Sequence, residues 1–487
     1  DYTVKIDVEN LQPGTFYYYE FTALGSNSII GRTKTAPTGN VDQLRFAVVS
    51  CSNYPTGYFT VYERIAERND IDAVLHLGDY IYEYGDNSLL SGPRVNLPDH
   101  EIIDLADYRL RHATYKLDED SRRMHQSYPI VSVWDDHESA NNSWRDGAEN
   151  HSANEGNWTE RKSASLQAYY EWMPIRLPDE NNYERIFRKL NYGDLAEIYM
   201  IDTRLYDRDE QGGDINDPDR SLIGPEQMAW LQNEMLNSNA KWKIIGQQVV
   251  MAPLVIPDYN AGEILLTIND DQWDGYTAER ERLYDFVLDN DIDNMVVLTG
   301  DIHTSWANDL PYDIFEYNRW TGEGSVGVEF VTTSVTSTSS PIPLPPVYDL
   351  IRDVLPYIKY VDLSRKGYTI LDLTPEQAQG DFYTVATIQS PNSNEFFQQS
   401  WLTEDGENHL IRGNGASEDT RPETPLPPAD PRVIENEDST VTSTATNYFD
   451  VLGVFPNPFF KDIIIELHLF ESNNVSISMI DAKGAQV

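Results

Sequence analysis

Four short segments of the chain carry side chains that could bind metal ions, and each segment directly follows a run of apolar residues. The segments are residues 50–52 (SCS), 78–82 (GDYIY), 135–138 (DDHE) and 300–303 (GDIH). Ligand sites in open α/β sheets form at the carboxyl ends of the strands. One such segment could arise by chance, but four at equivalent strand ends predict one composite metal site.

The side chains in these segments suit different metal ions. A Cys51 thiolate and a His303 imidazole are ligands that transition metals prefer. A phenolate from Tyr80 or Tyr82 favours trivalent iron, because a tyrosine with an ordinary pKa of about 10 must lose its proton to bind. The first ligand set therefore predicts a transition metal, with iron favoured if a tyrosine takes part.

Carboxylates form the second ligand set. Asp136 and Asp301 offer hard oxygen atoms, which suit Ca²⁺ or, failing that, Mg²⁺ or Mn²⁺, and Asp135 is the alternative to Asp136. Asp79 is the predicted bridging carboxylate. Two metal ions roughly 3.5–4 Å apart can clamp a phosphoryl group and generate hydroxide at neutral pH. His137 would then face the leaving oxygen as a general acid or charge stabiliser.

Three further residues have two predicted roles each. Arg204 could hold a phosphate oxygen through two parallel hydrogen bonds, or it could form a structural salt bridge with Asp202 or a loop acid. Asn141 and Asn142 could support the 135–138 loop or the calcium ion. The sequence leaves both pairs of roles open.

Three other histidines are predicted to lie away from the metal ions. His76 falls within an apolar run, so we expect it in the core or just behind the ligands. His112 and His125 fall in a helical, charge-rich region and are predicted to be surface or capping residues. The Ser/Thr tract at 332–340 is predicted to be a strand end and loop without a nucleophile.

The apolar runs that position these segments alternate with helical patterns, such as those at 57–68 and 278–289. The runs of strand length end at Ser50, Gly78, Trp134, Asp202, Gln247 and Gly300. Later strands are predicted at 330–335 and 368–373, and active-site loops at 139–157, 206–219 and 258–274. Strands buried on both faces and separated by helices predict a layered α/β fold.

Composition divides the chain into four predicted domains. Residues 1–38 alternate in a β pattern, and residues 42–402 contain the α/β core with all four metal-binding segments. Residues 403–447 are rich in Pro, Ser, Thr and acidic residues, which predicts a solvated linker. Residues 448–487 read as a small β module.

The charge balance excludes several classes of function. Thirty-six basic against 80 acidic residues give a net charge of −44, which repels nucleic-acid phosphates and anionic membranes. No apolar run approaches the roughly 20 residues of a membrane span. The single cysteine excludes an intrachain disulfide and a zinc ribbon. The acidic surface suits a secreted protein, and the abrupt start without a signal peptide predicts a fragment or a processed chain.

Several motifs resemble the PhoD-like alkaline phosphatases, which belong to the calcineurin-like metallophosphatase superfamily. They are residues 78–82 (GDYIY), 107–115 (DYRLRHATY), 129–138 (PIVSVWDDHE), 202–204 (DTR), 245–248 (IGQQ) and 300–303 (GDIH). The resemblance covers about residues 1–400. It implies a four-layer α/β/β/α fold, an Fe³⁺ plus Ca²⁺ centre, and hydrolysis of phosphate mono- and diesters at alkaline pH.

The resemblance also implies a role for individual residues. The implied iron ligands are Cys51, Asp79, Tyr82 and His303, and the implied calcium ligands are Asp79, Asp136 and Asp301. Tyr82 is preferred to Tyr80 because the family's ligand follows the aspartate by three residues. Gln247 stands where related metallophosphatases have a histidine, so its role as a ligand stays open.

The two ends of the chain resemble other modules. Residues 11–18 (LQPGTFYY) resemble the later strands of a fibronectin type III-like sandwich, with about three strands where about seven are expected. Residues 452–459 (LGVFPNPF) and the strands after them are similar to the C-terminal domain recognised by the type IX secretion machinery of certain bacteria. A small β module with a proline-rich turn is the alternative. The similarity implies a secreted or cell-surface bacterial protein, extracellular or periplasmic.

We therefore expect a secreted, monomeric phosphatase and phosphodiesterase. A metal-activated hydroxide at a binuclear site would attack the phosphorus of small phosphate esters. A strict phosphodiesterase or a phospholipase D-like enzyme is the alternative within this class. A non-catalytic metal-binding surface module is the alternative outside it.

Overall fold

The computed structural model describes residues 3–23, 25–86 and 92–429, together with the backbone of three strands at 450–456, 463–468 and 475–481. The strands are β1 (Thr3–Val8), β2 (Phe16–Ala23), β3 (Ser26–Asn27), β4 (Gly31–Lys34), β5 (Leu44–Val49), β6 (Ala73–His76), β7 (Ile130–Ser132), β8 (Ser143–Trp144), β9 (Gly147–Ala148), β10 (Arg188–Tyr192), β11 (Ala196–Met200), β12 (Trp242–Gly246), β13 (Val255–Asp258), β14 (Glu263–Thr267), β15 (Met295–Thr299), β16 (Ser305–Pro311), β17 (Ser325–Val331), β18 (Ile358–Asp362), β19 (Gly367–Leu373), β20 (Gln377–Val385), β21 (Glu395–Glu404), β22 (Ile411–Arg412), β23 (Asp450–Pro456), β24 (Ile463–His468) and β25 (Val475–Asp481). The helices are α1 (Thr60–Glu67), α2 (Leu105–Lys116), α3 (Glu119–Ser127), α4 (Trp158–Trp172), α5 (Pro225–Leu236), α6 (Thr277–Asp289) and α7 (Pro345–Val354).

Two seven-stranded sheets form the central body. One has the strand order β22-β21-β20-β19-β5-β6-β7, and the other has the order β10-β11-β12-β15-β17-β16-β18. The strands β5, β6 and β7 are parallel, as are β11, β12, β15 and β17. A parallel bridge between Ser50 and Ser334 joins the ends of β5 and β17. The carboxyl ends of both parallel sets therefore meet at one edge.

The two sheets pack against each other through apolar side chains. Phe46, Leu75, Ile244 and Phe330 belong to one buried cluster that draws on both sheets. A second cluster covers the other face of β12 and β15, and it includes Leu283 of α6. Burying a side chain of this size stabilises a fold by about 1.5–3 kcal/mol. The mixed α/β fold predicted from the apolar runs is confirmed.

The strand prediction needs three corrections. The strand expected at 330–335 is β17, which begins at Ser325 and ends at Val331. The polar segment 258–274 contains β14, which pairs with β13 in a hairpin. The long antiparallel strands β20 and β21 were not predicted, because Gln, Asp and Ser interrupt their apolar residues.

Helices α2 and α3 overturn the prediction for two histidines. Each helix begins after an aspartate, Asp104 or Asp118, whose side chain accepts a backbone hydrogen bond in the first turn. His112 and His125 are buried rather than exposed. The charged residues that dominate these sequences occupy the outer faces, while the histidines lie on the inner faces against aromatic rings. His76 is buried in β6, as predicted.

The predicted linker at 403–447 starts inside the ordered body. Strand β21 continues to Glu404, and the segment after β22 lies against the first sheet. The Ser417 hydroxyl lies 2.8 Å from Arg45 Nη1, and Arg421 Nη1 lies 2.5 Å from an Asp72 oxygen. Residues up to 429 are therefore held by hydrogen bonds that composition alone does not reveal. The remaining predicted linker, 430–447, lies outside the described residues.

Strands from the two ends of the chain pair with each other. Strand β1 pairs antiparallel with β24, and β2 pairs antiparallel with β25. Strand β23 continues the sheet of β1 and β24. The residues predicted as the N-terminal and C-terminal domains thus share two small sheets.

None of the helices in the described ranges is both long enough and apolar enough to span a lipid bilayer.

Candidate metal centre

The four predicted metal-binding segments converge at the shared edge of the two sheets. Cys51 follows β5, and its amide donates to the carbonyl oxygen of Gly78, just after β6, at 3.1 Å. Gly78 has a φ of 107°, and a Cβ at this position would lie 2.5 Å from the Cβ of Asp135. Only glycine allows this close approach between the ends of β6 and β7. The backbone therefore brings three of the segments into direct contact, and β15 delivers the fourth.

One cluster contains the softer donors. The ligand atoms of Cys51, Asp79 and His303 all lie within 4.8 Å of one another. The Tyr82 hydroxyl donates to Asp79 Oδ2 at 2.8 Å and lies 3.2 Å from His303 Nε2. The Tyr80 hydroxyl instead lies 2.9 Å from His125 Nε2. Tyr82 is thus the tyrosine that joins this cluster.

Two further clusters contain the carboxylates. Asp79, Asp136 and His137 form one, and Asp135, Asp136 and Asp301 form the other, each within the same 4.8 Å limit. Asp79 and Asp136 therefore connect neighbouring clusters. Within the described part of the chain, the buried Asp135 Oδ2 has no hydrogen-bond partner. An unpartnered buried carboxylate oxygen costs free energy unless a cation or a donor lies beside it.

The carboxylates repel one another. Burial and the neighbouring carboxylates raise the pKa of Asp79 well above its usual range. Burial likewise raises the pKa of Asp301 to about 6, although Arg204 opposes the shift. A bound cation would relieve this repulsion and favour the ionised forms. The donor set therefore fits hard cations.

The softer donors are protonated or neutral in a way that also fits a metal ion. Burial and the charge of Asp79 raise the pKa of the Cys51 thiol and the Tyr82 phenol. Burial, with the nearby charge of Lys366, lowers the pKa of His303 to about 3, so its imidazole is neutral. Neutral imidazole is the form that binds metals, and a metal ion displaces the protons of thiol and phenol ligands.

His137 is oriented by Glu83. His137 Nδ1 lies 2.6 Å from Glu83 Oε2, and both side chains are buried. Burial lowers the pKa of His137, but Glu83, Asp136 and Asp79 outweigh it and hold this pKa well above its usual value. The imidazole is therefore a cation, with Nδ1–H donating to Glu83 and the Nε2–H left for another acceptor.

Arg204 is completely buried among acids. Its Nε lies 2.5 Å from Asp135 Oδ1, and its Nη2 lies 2.7 Å from Asp301 Oδ1. Its Nη1 donates to both oxygens of Asp271, at 3.0 and 2.8 Å. Of the two predicted roles, the salt bridge with loop acids is the one whose contacts the structure contains. The guanidinium fixes two carboxylates of the centre.

The remaining predicted residues act through the backbone or lie behind the site. The amide of Asn142 donates to Asp136 Oδ2 at 2.5 Å, and the amide of Asn141 donates to Glu83 Oε1 at 2.8 Å. Both asparagines thus support the loop that carries Asp136. The Gln247 side chain donates to the Val249 carbonyl and accepts from the Trp273 indole, so its polar atoms are engaged away from the carboxylates.

Three acids important to the site were missed by the sequence analysis. Glu83 orients His137, and Asp271 pairs with Arg204. Glu138 accepts hydrogen bonds from the amides of Asp79, Tyr80 and Asp135, at 3.0, 2.5 and 2.7 Å. Glu138 and Glu83 stand directly beside predicted ligands, a signal that was available. Asp271 lies in a long polar segment, where no local pattern distinguishes it from its neighbours.

Four residues of the site have left-handed backbone conformations. Their φ angles are 61° for Cys51, 56° for Asp79, 60° for Asp301 and 61° for His303. Such a conformation costs a residue other than glycine roughly 1–2 kcal/mol. Outliers of this kind cluster at functional sites, where the surrounding structure over-determines them.

Comparison with known proteins agrees with this geometry. Residues 46–382 match the family described as PhoD-like phosphatase, and residues 1–37 match the N-terminal domain of PhoD-like phosphatases. The chain is 38% identical over 408 residues to alkaline phosphatase D of Bacillus subtilis (strain 168), covering 80% of this chain and 68% of that protein. A solved structure of PhoD is 34% identical with a TM-score of 0.74, and the match covers 83% of this chain and 78% of that one. On these matches and on the converging ligand clusters, the chain belongs to the PhoD-like phosphatase family and is a phosphoric ester hydrolase.

Proposed function

We propose that the centre holds two kinds of metal ion and hydrolyses small phosphate mono- and diesters. Cys51, Asp79, Tyr82 and His303 would hold Fe³⁺, and Asp79, Asp136 and Asp301 would hold Ca²⁺, or Mg²⁺ or Mn²⁺ in its place. The observation that carries the proposal is the set of overlapping clusters within 4.8 Å, with soft donors at one end and carboxylates at the other. Asp135, with its unpartnered oxygen, is a further ligand candidate on the carboxylate side.

When bound, such ions supply Lewis-acid polarisation of a phosphoryl oxygen and lower the pKa of a water molecule. The chain's own residues supply the rest. His137, as an imidazolium, would donate its Nε2 proton to the leaving oxygen or stabilise the charge that develops there. Glu83 keeps that proton on the ring by stabilising the charged form, and it fixes the orientation of the ring.

Arg204 would position ligands rather than touch the substrate directly. Its guanidinium fixes Asp135 and Asp301 in place and offsets part of their charge. The earlier expectation of a bidentate phosphate contact stays a second proposal for Arg204. Nη2, which carries the contact with Asp301, is the nitrogen with a hydrogen left for such a contact.

We extend the proposal to the architecture and location of the protein. The two apolar clusters, one between the sheets and one beneath α6, support a four-layer α/β/β/α arrangement. The N-terminal strands would be the remnant of a fibronectin type III-like domain. The resemblance of the C-terminal residues supports a monomer exported by the type IX secretion machinery to the cell surface or beyond. The side chains that such machinery would contact lie outside those described.

A strict phosphodiesterase or a phospholipase D-like enzyme is the alternative substrate assignment. Rates on p-nitrophenyl phosphate, bis(p-nitrophenyl) phosphate and a phosphatidylcholine separate these alternatives. Measurable turnover of the first substrate excludes a strict diesterase. Membership of a phosphatase family leaves the non-catalytic surface module without support.

The proposed centre is tested by Asp79→Asn and His303→Ala. Each variant should abolish turnover of p-nitrophenyl esters and lose iron by elemental analysis, because each removes a donor from the first cluster. Asp42→Asn and His100→Ala change the same residue types at exposed positions and should retain both metals and activity. Full activity in either ligand variant would overturn the proposal.

A further inference from the structure

A groove beside the metal centre differs in charge from the rest of the molecule. It has a volume of about 720 Å³ and is lined by the segments 336–343, 364–366 and 384–389 with Phe396 and Gln398. Hydroxyl and amide side chains dominate the lining, and Arg365 and Lys366 supply two positive charges. Among the described residues that line it, none is Asp or Glu. In a chain with 80 acidic residues, this is an unusually positive surface.

Lys366 is the cation that lies deepest in the groove. Its Nζ donates to Ser334 Oγ at 2.9 Å and to Ser339 Oγ at 2.7 Å, which leaves one N–H. Within the described residues no carboxylate lies within ion-pair distance of it, whereas Arg365 pairs with Asp362 at 2.5 Å. Burial lowers the pKa of Lys366 to about 7. An anion beside it would favour the ammonium form and use the remaining N–H.

The groove and the metal centre share one wall. The Ser337 hydroxyl lies 2.6 Å from the Tyr82 hydroxyl, and His303 Nδ1 lies 2.8 Å from the Thr338 carbonyl oxygen. Thr338 and its neighbour Ser339 also line the groove. One segment of chain therefore contacts the proposed iron ligands on one side and the groove on the other. A substrate whose phosphate occupies the centre can extend along this wall.

We propose that the groove is an anion subsite, in which Lys366, assisted by Arg365, binds a second phosphate group carried by the substrate. The inference rests on the proposed function, because it needs the first phosphate at the metal centre. It narrows the substrate class to phosphodiesters whose alcohol bears another phosphate. Ser339 and Gln398 add neutral hydrogen-bonding groups around the same position.

The test compares substrates that differ only in the second phosphate. The probes are p-nitrophenyl phosphodiesters of 1,3-propanediol and 1,6-hexanediol, each with its far oxygen either free or carrying a methyl phosphate. Release of p-nitrophenolate at pH 7 gives kcat/KM for each probe. A charge-assisted hydrogen bond of the usual strength predicts a ratio of about 10 in favour of the charged probe for at least one spacer.

Variants assign the effect to the groove. Lys366→Met should reduce the ratio to about 1, and Lys366→Arg should keep most of it. Lys243→Met is the control, because Lys243 is also a partly buried lysine but lies at the start of β12, outside the groove. Because the wild-type ratio needs no variant, a misfolded Lys366→Met protein would not block the test.

The outcomes separate the two proposals. Hydrolysis of all probes with a ratio of about 1 for both spacers overturns the anion subsite and leaves the proposed function intact. A high ratio that Lys366→Met does not reduce also overturns it. Failure of the metal-loaded wild-type protein to hydrolyse any probe overturns the proposed function, and the subsite with it.

Discussion

Replacing Glu83 with glutamine should slow catalysis without removing a metal ligand. Glu83 Oε2 lies 2.6 Å from His137 Nδ1 in a buried environment, and the substitution keeps the shape while removing the charge. A hydrogen bond to a charged group contributes about 1.5–3 kcal/mol. If the imidazolium acts in the transition state, kcat should fall about 10- to 150-fold.

The pH profile gives the sharper readout. Glu83 raises the pKa of His137, so Glu83→Gln lowers it. Activity that needs the imidazolium is lost as pH rises through this pKa, and the basic limb of the profile should therefore move to lower pH. Stopped assays across a pH series with p-nitrophenyl phosphate, alongside iron and calcium analysis, measure both effects.

Glu101→Gln is the matched control for this prediction. Glu101 also contacts the Asn150 amide, at 3.1 Å, but it has no contact with His137. This control should keep the wild-type profile. An unchanged kcat and an unchanged basic limb in Glu83→Gln protein of normal metal content would refute the role assigned to the pair.

Three other outcomes are expected. Tyr82→Phe should abolish the visible charge-transfer band of the iron-loaded protein, and a band that persists would exclude Tyr82 as a ligand. Arg204→Met should lower the free energy of unfolding of metal-free protein by about 3–5 kcal/mol in urea titrations, because it leaves buried carboxylates uncompensated. Arg145→Met, which breaks exposed ion pairs, should cost at most about 1 kcal/mol. The kcat/KM for an anionic ester should rise as added salt shortens the Debye length from about 30 Å to about 10 Å, if encounter limits the rate; a falling kcat/KM would argue against repulsion by the acidic surface.

Much of the site could be predicted because its signals are local. The apolar run before Cys51 and the run before Asp301 are short enough to be buried strands, and the residue after such a strand lies at a fixed edge of its sheet. The family resemblance then selected Tyr82 over Tyr80, and the contact with Asp79 agrees with that choice. Spacing along the chain was sufficient wherever a residue's role followed from its place at a strand end.

The rest depended on contacts between distant parts of the chain. Asp271 is identified only by Arg204, which lies 67 positions earlier. The burial of His112 follows from packing against Tyr169 of α4, which the local charge pattern conceals. The order of segment 411–429 likewise depends on side chains in β5 and near β6. Such pairings arise from tertiary packing, on which local propensity is silent.

The left-handed backbones at Cys51, Asp79, Asp301 and His303 set endurance against chemistry. Glycine relaxes each of them, so a selection for heat resistance alone would favour glycine at the same four positions that carry the donors. The mutations that make the metal-free protein harder to melt would then be the ones that silence it. Attempts to make this enzyme more robust should therefore begin far from the sheet edge and leave these conformations as they are.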